Sequence, residues 1–263
     1  MQETSQISRQ DTEKLIANGL EHQNAGRIEV ARNYYLKALK ASPNEPNAMH
    51  FLGVAYHQLE DNQQAEKYLK DAVELKPKDS QTHNHYGCAL LALNKLTEAE
   101  LAFRKSIELY SSNADALFNL GQLFSSDEIL EQSINDEERE EIAIEAVELL
   151  NRAVTLNPDQ LEWKVKLAGA LLKTGQRDLT GKVLDVILQQ KIDHPEVYFF
   201  KSRIATGKSS YQNLQKSLIL KPDAKSALNN FGFWNLVAKK RFDAFIWYQR
   251  ALVSEPTDVA VQW

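Results

Sequence analysis

Small and large apolar residues recur along this chain at fixed offsets, with polar stretches between them. From Gly19 the series runs to Ala31, Tyr35, Ala38 and Pro43; from Gly53 it runs to Ala65, Leu69, Ala72 and Pro77. Gly87 leads to Ala99, Phe103 and Ser106, with Ser111 where proline would stand, and Gly232 leads to Ala244, Tyr248, Ala251 and Pro256. Each series predicts two antiparallel helices. The glycine midway along the first helix lets the second approach, an alanine fills that contact, and the large residue four positions on shares its face. Proline then ends the second helix by driving its predecessor out of the α region. Asn-Gly hairpin signals and period-2 apolar runs are missing, which argues against a sheet.

Gly19, Gly53, Gly87 and Gly121 lie 34 residues apart. A period of this length means stacked units, each burying its apolar face against its neighbours. The pattern resembles the tetratricopeptide repeat on Leu52-Gly53 with Tyr56, Leu120-Gly121 with Phe124, and Phe231-Gly232 with Ala244. The resemblance covers nearly the whole chain after residue 11. It implies an all-α fold, a right-handed α-α superhelix of about seven helix-turn-helix repeats.

The repeats are expected at 12–45, 46–79, 80–113, 114–160, 161–194, 195–224 and 225–258, after a polar leader over 1–11. Residues 259–263 read as the start of a further, incomplete helix. The fourth repeat is long and the sixth short, which accounts for the wider interval between Gly121 and Gly232. The excess sits near 125–141, an acidic insert. Asp127 to Glu131 there reads as a short helix capped by Ser126, and Asn135 with Glu138 as the cap of a long second helix. The insert is either an acidic projection for a partner or for self-association, or a tolerated surface insertion.

Composition narrows the function. Cys88 is the only cysteine, so no intramolecular disulfide forms and a reducing, cytoplasmic setting is expected. Met1 to Gln10 lacks the apolar core of a signal peptide, and no apolar run reaches membrane-spanning length. The net charge of −5 hides a segregation. Residues 125–160 carry 11 acids against 2 bases, whereas residues 161–263 carry 16 bases against 9 acids. Such asymmetry biases partner choice.

In the family, the first helices line a concave groove that takes an extended peptide or a partner helix. Carried onto this sequence, groove positions include His85, Asn119, Glu162, Val165 and Lys166, with Lys173 a turn on, then Phe199, Phe200 and Arg203, and Asn229, Asn230 and Phe233. Asn119 and Asn230 match the asparagines that hold a peptide backbone through both amide atoms. The chaperone-binding subclass grips a C-terminal carboxylate with Lys and Asn. Ile16, Leu20 and Phe51 stand at those places here, which disfavours it. The sharper candidate is the C-terminal half, where Lys166, Lys173 and Arg203 would face an acidic segment and Phe199 and Phe233 would anchor it. Packing between helices is the plainer role for those phenylalanines.

Catalytic, metal and cofactor signatures are missing. His50, His57, His83, His85 and Cys88 cluster in two repeats, but without CxxC or HExxH spacing. Cys88 three residues after His85 on one helix leaves no oxyanion donors for a nucleophile. No Gly-rich phosphate loop occurs, and Lys239-Lys240-Arg241 is a solvated turn rather than a nucleic-acid stripe. The expectation is a non-catalytic protein-interaction scaffold binding protein or peptide, with no cofactor, no nucleic acid and no membrane. Self-association through the C-terminal end is a further expectation. The alternative is the substrate- or partner-binding region of a larger glycosyl-, methyl- or sulfotransferase.

Overall fold

The computed structural model describes residues 9–254, which form 15 helices and no strand. Residues 1–8 and 255–263 lie outside the described residues, and with them most of the expected leader and the expected further helix. Close packing divides the chain into two units, Met1–Ser126 and Asp127–Trp263.

The first unit runs α1 (Arg9–Asn24), α2 (Ile28–Ala41), α3 (Pro46–Gln58), α4 (Asn62–Leu75), α5 (Ser80–Ala92), α6 (Leu96–Leu109) and α7 (Ala114–Phe124). Helix α1 starts at Arg9, three residues inside the stretch assigned to the leader, with Asp11 favouring its positive end. Each odd helix packs on the even helix that follows, and each even helix on the next odd one. The small-large-small spacing explains why. Ala31, Tyr35 and Ala38 are fully enclosed, as are Ala65, Leu69 and Ala72, and Ala99, Phe103 and Ser106. A Cβ at Gly19 would fall 2.3 Å from the Tyr35 ring, and one at Gly87 would fall 2.5 Å from the Phe103 ring. The glycines are therefore the places where a large side chain of the second helix touches the backbone of the first.

Short side chains close the helix ends. Asp79 caps α5 by accepting from the backbone N–H groups of Gln81 (3.1 Å) and Thr82 (3.3 Å). Burial alone would raise the pKa of this carboxyl, but its pairing with Lys76 and the Thr82 N–H bond hold it below the usual range. Replacing Asp79 by alanine is expected to destabilise the first unit by about 1–2 kcal/mol, read as a lower urea midpoint with unchanged slope.

The second unit runs α8 (Asp127–Gln132), α9 (Asp136–Leu156), α10 (Leu161–Lys173), α11 (Arg177–Gln189), α12 (Pro195–Ile204), α13 (Gly207–Leu220), α14 (Lys225–Val237) and α15 (Arg241–Ser254). At 21 residues α9 exceeds the 10–14 of the helices that follow it. Asn135 caps it, accepting from the Glu138 N–H at 2.8 Å, while the Glu138 carboxylate accepts from the Ile134 N–H at 2.6 Å. The two bonds make a reciprocal capping box. The Ser126 hydroxyl, expected to cap α8, donates back to the Leu123 carbonyl at 2.7 Å. Between α14 and α15, Lys239 takes the left-handed conformation (φ 60°) that ends a helix sharply.

Candidate functional site

Two clusters of the expected groove residues are built into the structure, one in each unit. In the first unit, His50 on α3 and His85 on α5 meet ring to ring, with Nε2 of His50 2.6 Å from Nδ1 of His85. His50 is buried and stacks on Phe51, while Gln81 reaches the other nitrogen of His85 at 3.4 Å. Burial lowers the pKa of His50 to about 4, helped by the neighbouring His85 and opposed by Asp79. Burial lowers that of His85 too. Both shifts favour the neutral rings, one donating and the other accepting along that edge.

A step along the same helices, Asn119 on α7 donates to Asn84 Oδ1 at 3.0 Å and to Cys88 Sγ at 3.3 Å. The Asn119 amide is therefore held across to α5. Burial pushes the Cys88 thiol up to about 12, far from the thiolate that nucleophilic chemistry needs. Among the described residues no three metal-ligating side chains come together.

The second cluster carries more. A cavity of about 510 Å³ opens between the first turns of α12 and α14. Phe199 and Phe200 of α12 are the large apolar residues of its lining, and Lys221, Lys225, Asp127 and Glu196 the charged ones. Asn229 lines the cavity, and its Oδ1 is buried with no hydrogen-bond donor among the described residues. An acceptor left so costs about 1–3 kcal/mol.

The other expected positions are distributed more widely. Asn230 donates to the Ser226 carbonyl at 2.7 Å and accepts from Arg203 at 3.3 Å, so its amide is engaged on both sides. Phe233 is 57% exposed on α14. Lys166 pairs with Glu162 at 3.2 Å, and Lys173 pairs with Asp127. The three cations expected to meet an acidic partner are each bonded within the chain. Val165, placed in the groove by its spacing, is instead fully buried in a core with Ala168, Leu184, Ile187 and Val197. The repeat pattern does not mark Asp127, Lys221 or Lys225 as site residues. Lys221 directly precedes the repeat's Pro222, and that adjacency is the one sequence signal that locates it.

Comparison with known proteins rests on these helix pairs. The tetratricopeptide-repeat family model matches residues 16–80 and 87–144. Those two stretches, just under half of the chain, are tetratricopeptide repeats. A tetratricopeptide repeat-containing protein of Caenorhabditis elegans, trd-1, is 25% identical over 178 residues, covering 67% of this chain and 20% of that protein. The chain spans about a fifth of the length of the curated relatives it matches. Among solved structures, PilW, a type IV pilus biogenesis factor, superposes with a TM-score of 0.67 at 18% identity, covering 84% of this chain and 98% of PilW. YrrB, described as a tetratricopeptide-repeat protein with an unusual peptide-binding site, gives 0.51 at 19% identity, covering 74% and 95%. At these identities the likeness is one of fold. No described helix is long and apolar enough to cross a membrane.

Proposed function

We propose that the chain is a non-catalytic protein-interaction scaffold whose second unit takes an extended peptide in the cavity between α12 and α14. One observation carries this reading: the buried Asn229 Oδ1, without a donor among the described residues, lines a cavity that Phe199 and Phe200 also line. A peptide backbone N–H supplies the missing donor, an apolar side chain rests on Phe199 and Phe200, and Lys221 favours an acidic residue. A peptide-binding site is also what distinguishes YrrB, whose fold this chain shares. The alternative, a binding region within a larger transferase, leaves the same cavity as the partner site. We place the protein in a reducing compartment, on the strength of its single cysteine.

Asn229→Leu separates the two roles of this residue. It removes the orphaned acceptor, so the free protein is expected to gain about 1 kcal/mol of stability. It should also weaken peptides selected from a phage-displayed library on the wild-type chain by about tenfold or more, measured by calorimetry. Undiminished affinity in this variant would show that the partner sits elsewhere.

A further inference from the structure

The corner between α8 and α9 holds an isoleucine out into solvent. Ile134 is 89% exposed, the most exposed of the large apolar side chains described. Its position is set by the structure around it. The Ile134 N–H donates to Glu138, Asn135 caps α9, and Arg139 Nε donates to the Leu130 carbonyl at 2.9 Å. An apolar side chain fixed outward loses little further freedom on docking, which favours it as a binding knob. Acids surround it in sequence, with Glu131 before and Asp136, Glu137 and Glu138 after.

The same unit carries a surface of the opposite character. A cavity of about 740 Å³ lies beside α15, lined by Leu228, Phe245, Ile246 and Val253, with Gln249 and Arg250 at its side. Phe245 is 59% and Val253 79% exposed, so the apolar stripe faces solvent. The Arg250 guanidinium lies 4.6 Å above the Trp247 ring and donates to the Pro222 carbonyl at 3.3 Å, which orients it beside the cavity. Lys239 and Lys240 are exposed at the start of the helix, and Asp223 is the one acid in the lining.

We infer that these two surfaces are complementary halves of one interface, and that the occupant of the α15 cavity is the Ile134 corner of a second copy of this chain. Charge selects that occupant: residues 125–160 are nine units negative and residues 161–263 seven units positive. Shape agrees, since a protruding isoleucine on one side meets an open apolar cavity on the other. The exposure of Ile134 shows that the described residues do not cover it. The contact joins unlike surfaces, so each copy offers one knob and one cavity, and association proceeds head to tail. The peptide cavity between α12 and α14 takes no part in it.

Analytical ultracentrifugation of the full chain tests it. At about 0.1 mM protein and about 50 mM salt, species heavier than the 29.9 kDa monomer are expected, and they should dissociate as salt approaches about 0.5 M. Ile134→Ser and Phe245→Ser change exposed side chains and should leave the helical circular dichroism and melting unaltered. Each variant alone should sediment as a monomer. Mixed in equal amounts, they should form a one-to-one complex, because Ile134→Ser keeps its cavity and Phe245→Ser keeps its knob. A wild-type monomer at every concentration overturns the inference. So does association that neither substitution weakens, or a mixture that stays monomeric.

Discussion

Phe103→Ala is expected to destabilise the first unit by about 3–5 kcal/mol, the usual cost of emptying a fully buried aromatic site. Phe103 is 0% exposed and lies against the backbone of α5 at Gly87, where a Cβ would be 2.5 Å from its ring. The void cannot close easily, because the ring sits between two helices whose spacing its neighbours Ala99 and Ala102 also set. The complementary change, Gly87→Ala, pushes into the same space. Overpacking costs about 1–3 kcal/mol and the better helix propensity of alanine returns about 1. The double variant should be destabilised by less than the sum of the two, since the new methyl group occupies part of the space Phe103 vacates. Urea unfolding of the four proteins gives the coupling. Strict additivity would mean that Gly87 and Phe103 do not form the contact between these helices.

Acidification should cost the first unit about 3 kcal/mol through His50 alone. The folded value of about 4 lies below the ordinary 6.5, because burial and the nearby His85 oppose a charge there. The unfolded chain therefore binds a proton that the folded chain refuses. Stability is full above about pH 6.5 and falls as the pH drops toward 4, by about 1.4 kcal/mol for each pH unit crossed. His85, lowered in the same direction, adds to the loss. The charges facing the pair are Asp79 and Lys76 toward His50, and Asp115, His57 and Asp79 toward His85. The hydrogen bond between the rings survives one added proton but not two, and the loss levels off once both rings are charged in the folded chain as well. Urea midpoints at pH 7 and pH 4.5 check this. His50→Gln should flatten the pH dependence, and an unchanged slope would show that His50 is not the titrating group.

Some of the candidate site could be read in advance, and the failures have specific causes. Ala31, Tyr35 and Ala38 are enclosed as their spacing requires, because a small-large-small pattern at helical offsets allows one packing face only. Val165 shows where spacing fails. Helix α10 carries Trp163, Val165, Leu167, Ala168 and Leu171, apolar almost all round, and even Lys164 is buried. Its polar stripe, Glu162, Lys166 and Lys173, is narrow, so the spacing leaves the neighbouring groove positions ambiguous in sequence. Lys173 fails for a different reason. Its partner Asp127 lies 46 residues away, and that distance does not follow the 34-residue period.

The segregation of charge was visible in composition, while its use was not. A count of acids in the insert says nothing about which one turns toward Lys173, or that a capping box leaves Ile134 facing solvent. Asn229 and Asn230 look interchangeable as adjacent amides. In the structure Asn230 has partners on both sides, and Asn229 keeps a buried oxygen without one among the described residues.

By itself, then, the chain's sequence determined the helices, their pairing and the glycine contacts that hold the pairs. These depend on offsets within a repeat, and local sterics act over that range. Tertiary structure decided which polar groups meet: His50 with His85, Asp127 with Lys173, and the Asn229 oxygen with no donor among the described residues. Such pairings depend on how successive helices are staggered and where an irregular insert returns, which the repeat period does not encode.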